Sequence, residues 1–315
     1  IQHSFVDVRG LRIHIAEIGT GPAVVFVHGF PEIWYSWRYQ MMAASAAGFR
    51  AIAPDLRGYG LSEQPPDPEK TAFKDFADDL LVLLDEFNLR RISLVGKDFG
   101  ARIVYHFALL HPERLSAVAT VGSPFRPPEA AATFSSNSMC DDLPKGLYIF
   151  RWQASRRAEK DFARFDVTTV IKNIYILFSG RDLPAAASED QEIMDLVDPS
   201  TPLPSWFTQR DLAHYSSHYL KSGFQTALQV PYRALSEGYD GVDEMKIKVP
   251  GLLIMGEKDY SMKFPGIEDY VRTGGVEKYF VSGLEVHLLP DGTHFSQEQF
   301  PDRVNHLLLA FLSKH

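Results

Sequence analysis

The sequence predicts an α/β fold: a mostly parallel sheet flanked by helices, carrying an inserted, mainly helical segment. Three observations carry this expectation. Several short apolar runs are continuous rather than alternating, which marks strands buried on both faces. Helical patterns lie between those runs, as a parallel sheet requires. The alternation then stops after residue 125 and resumes near residue 240.

Taken in order, Phe5–Val8 and Arg12–Ala16 are short strand patterns on either side of an Arg9-Gly10 turn. Ala23–Val27 is a continuous apolar run ending in His28-Gly29-Phe30-Pro31, and Arg50–Ala53 is another, ending in Pro54-Asp55. Phe73–Phe87 reads as a helix, with Phe76, Leu80, Leu83, Leu84 and Phe87 on one face and most of its acidic residues elsewhere. A strand over Ile92–Val95 runs into Gly96-Lys97-Asp98-Phe99-Gly100, and a helix over Ala101–Leu110 follows. It ends at His111-Pro112, because a residue before proline disfavours helical backbone. Leu115–Val121 is the next strand.

From Arg126 to about Tyr239 there are helical and loop patterns without strand–helix pairs. Two stretches there, Glu129–Asp142 and Ser179–Glu192, are small and polar and read as mobile loops with little apolar surface to fix them. Strand patterns return at Val249–Met255 and Leu284–Leu289, and a helix near Asp302–Leu312 closes the chain. The expected organisation is a core of residues 1–125 and 240–315 with residues 126–239 as a cap inserted into it.

Composition narrows the function classes. The 315 residues carry a net charge of −8, with 45% hydrophobic and 23% charged residues. The sequence pI is about 5.8. No basic footprint suits nucleic acid or an anionic membrane, and no apolar run is long enough to span a bilayer. Cys140 is the single cysteine, which excludes an intrachain disulfide and fits a reducing compartment. No leader pattern precedes the first strand, so a cytoplasmic location is expected. Ser313-Lys314-His315 resembles a peroxisomal Ser-Lys-Leu address without its final Leu.

Asp98 is the most informative residue. Small-x-nucleophile-x-small between a strand and a helix is the nucleophile elbow of the α/β-hydrolase pattern. The flanking glycines allow strand and helix backbones to approach too closely for a Cβ. Serine is usual at the centre, whereas a carboxylate attacks carbon and leaves an alkyl ester, which shifts the chemistry toward opening epoxides or displacing halides. Hydrolysis of such an ester needs a histidine base oriented by an acid, in the order nucleophile, acid, histidine. Asp259, in Gly256-Glu257-Lys258-Asp259, and His294, in Asp291-Gly292-Thr293-His294-Phe295, each follow a late strand and satisfy that order. Gly122-Ser123-Pro124, after the strand that follows the elbow, offers no carboxylate. The backbone N–H groups of Phe30 and Phe99 are the candidate oxyanion hole.

His28-Gly-Phe-Pro-Glu-Ile-Trp-Tyr-Ser-Trp-Arg38, Pro54-Asp-Leu-Arg-Gly-Tyr-Gly60, Gly96-Lys-Asp-Phe-Gly100 and Gly292-Thr-His-Phe295 together resemble soluble epoxide hydrolases of the α/β-hydrolase superfamily, the plant enzymes in particular. The resemblance covers nearly the whole chain, cap included. It implies two cap tyrosines that hydrogen-bond the epoxide oxygen. Tyr232, in Val230-Pro231-Tyr232-Arg233, matches one and Tyr148 the other. Phenols suit that task because they stay protonated at neutral pH yet can donate to an oxygen becoming an alkoxide. Glu32 resembles an acid that holds the hydrolytic water; as a sequence feature it equally suits a helix start stabilised by the dipole.

Two departures accompany the resemblance: Lys97 and Phe99 stand where the family usually has His and Trp. Lys97 either points away from the pocket or brings its ammonium toward Asp98, favouring the ionised carboxylate. The expected reaction is conversion of an apolar epoxide, fatty-acid or aryl, and water into a vicinal diol. No cofactor and no metal are expected, and the chain is expected as a monomer or homodimer. Trp34, Phe125, Trp152 and Phe295 are the candidate substrate-binding side chains. The spacing of His214 and His218 on one helix could hold a metal but lacks an accompanying carboxylate. A haloalkane or haloacid dehalogenase shares the three catalytic residue types but needs a halide donor that Phe99 cannot supply. A ligand-binding relative without turnover is the alternative from a different class.

Overall fold

The computed structural model describes residues 1–127 and 143–315. The small polar stretch Glu129–Asp142, with Cys140, lies outside the described residues. Eight strands form one sheet in the order β1-β2-β4-β3-β5-β6-β7-β8. They are β1 (Gln2–Val8), β2 (Leu11–Ile18), β3 (Ala23–Val27), β4 (Arg50–Pro54), β5 (Ile92–Lys97), β6 (Leu115–Val121), β7 (Gly251–Gly256) and β8 (Leu284–Leu289). β1–β2 and β2–β4 are antiparallel, and every pair from β4–β3 to β7–β8 is parallel.

The described α-helices are α1 (Arg38–Ala46), α2 (Phe73–Glu86), α3 (Phe99–Leu110), α4 (Tyr148–Gln153), α5 (Arg157–Phe162), α6 (Val167–Phe178), α7 (Gln209–Ser222), α8 (Gln225–Gln229), α9 (Ile267–Arg272), α10 (Ser296–Gln299) and α11 (Pro301–Leu312). The sheet separates two apolar layers. Val25 and Val27 of β3 face Phe76, Leu80, Ile103 and Val104 of α2 and α3. Val24 and Phe26 of the same strand face Trp37, Met41, Leu308 and Phe311, beside and within α1 and α11. Successive side chains of a strand point to opposite faces, so a strand covered on both sides needs an unbroken apolar run. Each fully buried side chain of this kind contributes about 1.5–3 kcal/mol.

Neighbouring strands β3 and β5 lie at the point where the strand order reverses. Loops leaving their C-terminal ends diverge there and open a crevice, the usual ligand position in an open α/β sheet. Helices α4–α8 fall between β6 and β7 in the chain and cover this edge. They are tied to the core by polar contacts: Tyr59 Oη donates to the Val230 carbonyl at 2.9 Å, and Tyr35 Oη donates to Asp211 at 3.0 Å. Arg38 of α1 reaches both Asp211 of α7, at 3.1 Å, and Glu298. Asp211 also closes a capping box with Thr208 at the start of α7.

The anticipated strands and helices are present with shifts at their ends; β3, β6 and β8 match residue for residue. Helix α1 has no counterpart among the sequence expectations. Its apolar face is only Met41 and Ala44, while Arg38 and Gln40 are buried through polar contacts. The segment Ser179–Glu192 contains no helix and is held by backbone pairing together with Leu183, Ala185 and Ala186, which pack on the core. Tyr148 N donates to the Pro184 carbonyl at 2.9 Å, and Ala186 N to the Gly146 carbonyl at 2.8 Å.

Candidate active site

The elbow is built by close approach. Asp98 adopts φ 54° and ψ −123°, a left-handed conformation that costs a non-glycine residue energy and requires surrounding support. Asp98 N donates to the Val121 carbonyl at 3.1 Å, which ties the turn to β6. A Cβ on Gly96 would lie 2.6 Å from the Gly100 carbonyl oxygen, and one on Gly100 would lie 2.4 Å from the His28 carbonyl oxygen. The two glycines therefore serve different contacts: Gly96 admits the helix to its own strand, and Gly100 admits that helix to the end of β3.

Asp98, Asp259 and His294 meet at this edge. His294 Nε2 lies 3.1 Å from Asp98 Oδ2, and His294 Nδ1 lies 3.0 and 3.1 Å from the two oxygens of Asp259. Asp259 is fixed in turn by the Ser261 N–H at 2.8 Å. All three side chains are nearly sealed from solvent. The other oxygen of Asp98, Oδ1, accepts from Phe30 N at 3.1 Å, and the Phe99 N–H favours the carboxylate electrostatically. Of the two N–H groups named as an oxyanion hole, that of Phe30 already contacts the nucleophile's carboxylate.

The charges are coupled. Burial opposes ionisation of Asp98, but the hydrogen bond and charge of His294, with the charge of Lys97 and the Phe99 N–H, outweigh it and hold the carboxyl below its ordinary range. Burial likewise opposes the imidazolium of His294. The charge of Asp259 and hydrogen bonds to both carboxylates prevail over burial and Lys97, raising its pKa to about 9. The resting site is a carboxylate–imidazolium–carboxylate row.

A cavity opens onto Asp98 and His294. Phe99, Pro124, Ile149, Leu235, Phe264 and Ile267 supply apolar lining. Tyr148 lines it and is fully buried, with its pKa raised by burial first and then by the nearby carboxylates. Tyr232 packs within 6.0 Å of the Tyr148 ring and 5.6 Å of Phe99, centroid to centroid. Burial and the charge of Asp98 keep its phenol protonated.

The four substrate-binding candidates stand outside the described lining of this cavity. Trp34 is wedged against His3 and His214 on the other side of the loop, with ring centroids 4.8 and 5.8 Å away. Phe125 is a fully buried core residue between Tyr105 and Tyr239. Phe295 stacks on Tyr175 at 4.4 Å beneath the site. Trp152 stands behind the two tyrosines, 5.3 Å from Tyr148 and 4.9 Å from Tyr232. None of the four is among the described residues that line the cavity. Residue type alone does not separate a pocket aromatic from a core one.

Glu32 is fully buried, accepting from Gly29 N at 3.0 Å and from Gln297 Nε2 at 2.6 Å. It does not cap the short 3-10 turn Trp34–Trp37, whose first position has no side-chain cap. Lys97 points away from the pocket. Its side chain is buried beneath the site rather than in the cavity, with Nζ 4.0 Å from Glu32 and 5.0 Å from the Phe295 ring centroid. It still acts on Asp98 and His294 by charge.

Sequence reasoning missed Tyr260. Its hydroxyl lies 3.1 Å from that of Tyr148, and its ring centroid is 5.0 Å from His294. A phenol directly after the orienting acid is the signal that could have drawn attention to it. The His214 and His218 rings are tilted against each other with centroids 4.5 Å apart, and His218 Nδ1 donates to the His214 carbonyl. Arg102 lies over Phe73 and donates to the carbonyls of Leu235 and Glu237, binding α3 to the insertion rather than facing the nucleophile.

The arrangement matches known proteins along the whole chain. A family model described as the alpha/beta hydrolase fold matches residues 22–301. Epoxide hydrolase 3 of Siraitia grosvenorii is 34% identical, with 100% of this chain and 99% of that protein covered. Among solved structures, an epoxide hydrolase from Vigna radiata superposes with a TM-score of 0.90 at 31% identity, covering 100% of this chain and 98% of that one. Potato (Solanum tuberosum) epoxide hydrolase I gives 0.88 at 30% identity, covering 100% and 99%. An Asp-centred elbow on this sheet, in a chain alike from end to end to these enzymes, has one family assignment: the protein belongs to the alpha/beta hydrolase fold family and, within it, to the epoxide hydrolases.

Proposed function

We propose that the chain hydrolyses apolar epoxides to vicinal diols through an alkyl ester on Asp98. In the first step one carboxylate oxygen of Asp98 attacks an epoxide carbon and the C–O bond breaks. Tyr148 and Tyr232 donate to the departing oxygen, and one of them gives up its proton so that this oxygen leaves as a hydroxyl; the His294 imidazolium resupplies that phenolate and becomes the neutral imidazole. In the second step His294, oriented by Asp259, takes a proton from water, and the hydroxide attacks the ester carbonyl. The N–H groups of Phe30 and Phe99 stabilise the tetrahedral anion; its collapse releases the diol and regenerates the Asp98 carboxylate. Glu32 is read as an acid that helps position the hydrolytic water.

The observation that carries this reading is the division of labour at Asp98: one oxygen bonds the Phe30 N–H while the other faces His294 Nε2 at 3.1 Å. The apolar lining around Asp98 favours an aryl or long-chain aliphatic substrate. Residues 126–239 act as the cap that brings the phenols over the nucleophile. No described helix is long and apolar enough to cross a membrane, and we place the activity in the cytoplasm. Phe99 offers no ring N–H to a departing halide, which disfavours halide displacement.

The test is His294→Gln, which slows hydrolysis so that the ester accumulates. Intact and peptide masses are taken after exposure to an aryl epoxide and, separately, to a haloalkane. Gain of the whole epoxide mass on the Asp98 peptide supports the reading. An alkyl adduct from the haloalkane alone, or no adduct from either, refutes it.

A further inference from the structure

Lys97 is the buried charge that the reaction as written does not use. Its side chain is fully buried, and among the described residues Nζ makes no hydrogen bond. Burial of an ammonium costs several kcal/mol unless it is well compensated. Here the compensation is loose: a carboxylate oxygen of Glu32 at 4.0 Å and the ring face of Phe295 at 5.0 Å. The location is tightly determined nonetheless. Lys97 is bonded to the nucleophile residue, and the ring beneath its ammonium belongs to the residue after the base.

The groups that face His294 come from several elements. Asp98 approaches from the elbow, Asp259 from the loop after β7, Tyr260 from the turn beyond it, and Phe178 from α6 at 6.4 Å between centroids. Lys97 approaches from the end of β5. Lys97 itself faces Glu32, which is held by Gly29 N and Gln297. In the resting enzyme two carboxylates act on His294 against one ammonium, and the imidazolium wins. Esterification of Asp98 removes one of those negative charges. Asp259 and Lys97 then oppose each other across the imidazole.

Resting on the covalent reading above, we propose that Lys97 is a positioning residue for the second step: once Asp98 is esterified, its buried ammonium favours transfer of the His294 proton to the phenolate left by ring opening, so that the neutral imidazole can accept a proton from water. Without that charge Asp259 acts alone, and His294 stays protonated to higher pH. The Lys97 charge also favours the ionised form of Asp98 before attack, but the hydrogen bond and charge of His294 are the larger contributions and keep that carboxyl ionised without it, so loss of Lys97 leaves the first step little changed at neutral pH.

The experiment measures ester formation and ester decay separately. Rapid-quench mass spectrometry follows a single turnover of an aryl epoxide across a pH series. Wild type, Lys97→Met, Lys97→Arg and the Lys97→Met/Glu32→Gln double variant are compared, all checked for native circular dichroism. In Lys97→Met the acid limb of ester decay is expected to move up by about one pH unit, with ester formation at pH 8 little changed. Lys97→Arg keeps the limb in place. The double variant leaves no buried carboxylate without its cation; because it also removes the opposing Glu32 charge, its limb moves up by less than in the single variant, and its decay plateau falls with the loss of the water-positioning acid. It keeps the test open if Lys97→Met fails to fold. An unmoved limb, or equal loss in both steps with the limb in place, overturns the proposal and makes Lys97 structural. A wild type that forms no ester overturns the covalent reading and this inference together, so the two failures are distinguishable.

Discussion

His294 Nε2 lies 3.1 Å from Asp98 Oδ2, so the base touches the nucleophile it later has to free. That contact links chemistry to stability. The folded-state pKa of His294, about 9, stands above the ordinary value of 6.5. A raised value means that the folded protein holds the proton more tightly than the unfolded chain. The stabilisation is therefore fully present below pH 6.5 and is lost as pH rises through about 9. Urea unfolding of wild type and His294→Gln across pH 6 to 10 is expected to show a wild-type advantage that shrinks through this window. A constant difference would contradict the ion-pair description.

Tyr260 is expected to act on the substrate only through Tyr148. If Tyr260 donates to the Tyr148 oxygen, their 3.1 Å contact steadies Tyr148 as it gives up proton density. Loss of a single such hydrogen bond corresponds to about a tenfold change in rate. Tyr260→Phe should slow ester formation by roughly that factor, and Tyr148→Phe by about 10- to 100-fold. The double variant should be no slower than Tyr148→Phe alone. Additive losses in this cycle would assign Tyr260 an independent role.

Gly29 holds space for the nucleophile. A Cβ there would lie 2.5 Å from Asp98 Cβ and 2.6 Å from its Oδ1, so either the loop or the carboxylate must shift. A misplacement of about 1 Å in a reacting group costs about 10²-fold in rate. Gly29→Ala is expected to lose turnover on that scale while keeping its circular dichroism spectrum. Gly238→Ala is the control, because nothing lies within 4 Å of its added Cβ. Steady-state kinetics on both variants decides whether the effect is local.

Much of this site is readable in the chain because strand ends are readable. Ile92–Val95 followed by two closely spaced glycines places Asp98. The runs before Asp259 and His294 place those residues on the same edge. What resists reading is the direction a side chain takes once its backbone position is known. Trp34 and Phe295 sit close in sequence to Glu32 and His294, yet their rings turn into the core. Lys97 is next to the nucleophile, yet its stem runs beneath the site to Glu32. Helix α1 is hidden for a related reason. Its buried Arg38 and Gln40 donate to partners more than 170 residues away, so no local apolar period announces it.

Those distant partners make Arg38 the residue on which the insertion's seating depends most directly. Its guanidinium bonds Asp211 of α7 at 3.1 Å and Glu298 of α10, and lies 4.1 Å from the Tyr35 ring centroid. Burial raises the pKa of Glu298 to about 7 even with Arg38 beside it. A carboxyl raised in the folded state favours folding below the unfolded value of 4.5, and that contribution is lost as pH rises through 7. Removing the cation leaves two carboxylates without it, and breaking a buried pair in this way costs about 3–5 kcal/mol. Arg38→Met is expected to lose that much stability in urea unfolding at pH 8. The loss should be smaller at pH 5, where Glu298 is protonated. Arg38→Met/Glu298→Gln should recover part of it at pH 8. A pH-independent loss, unrelieved by the second substitution, would assign the effect to lost packing of the arginine stem.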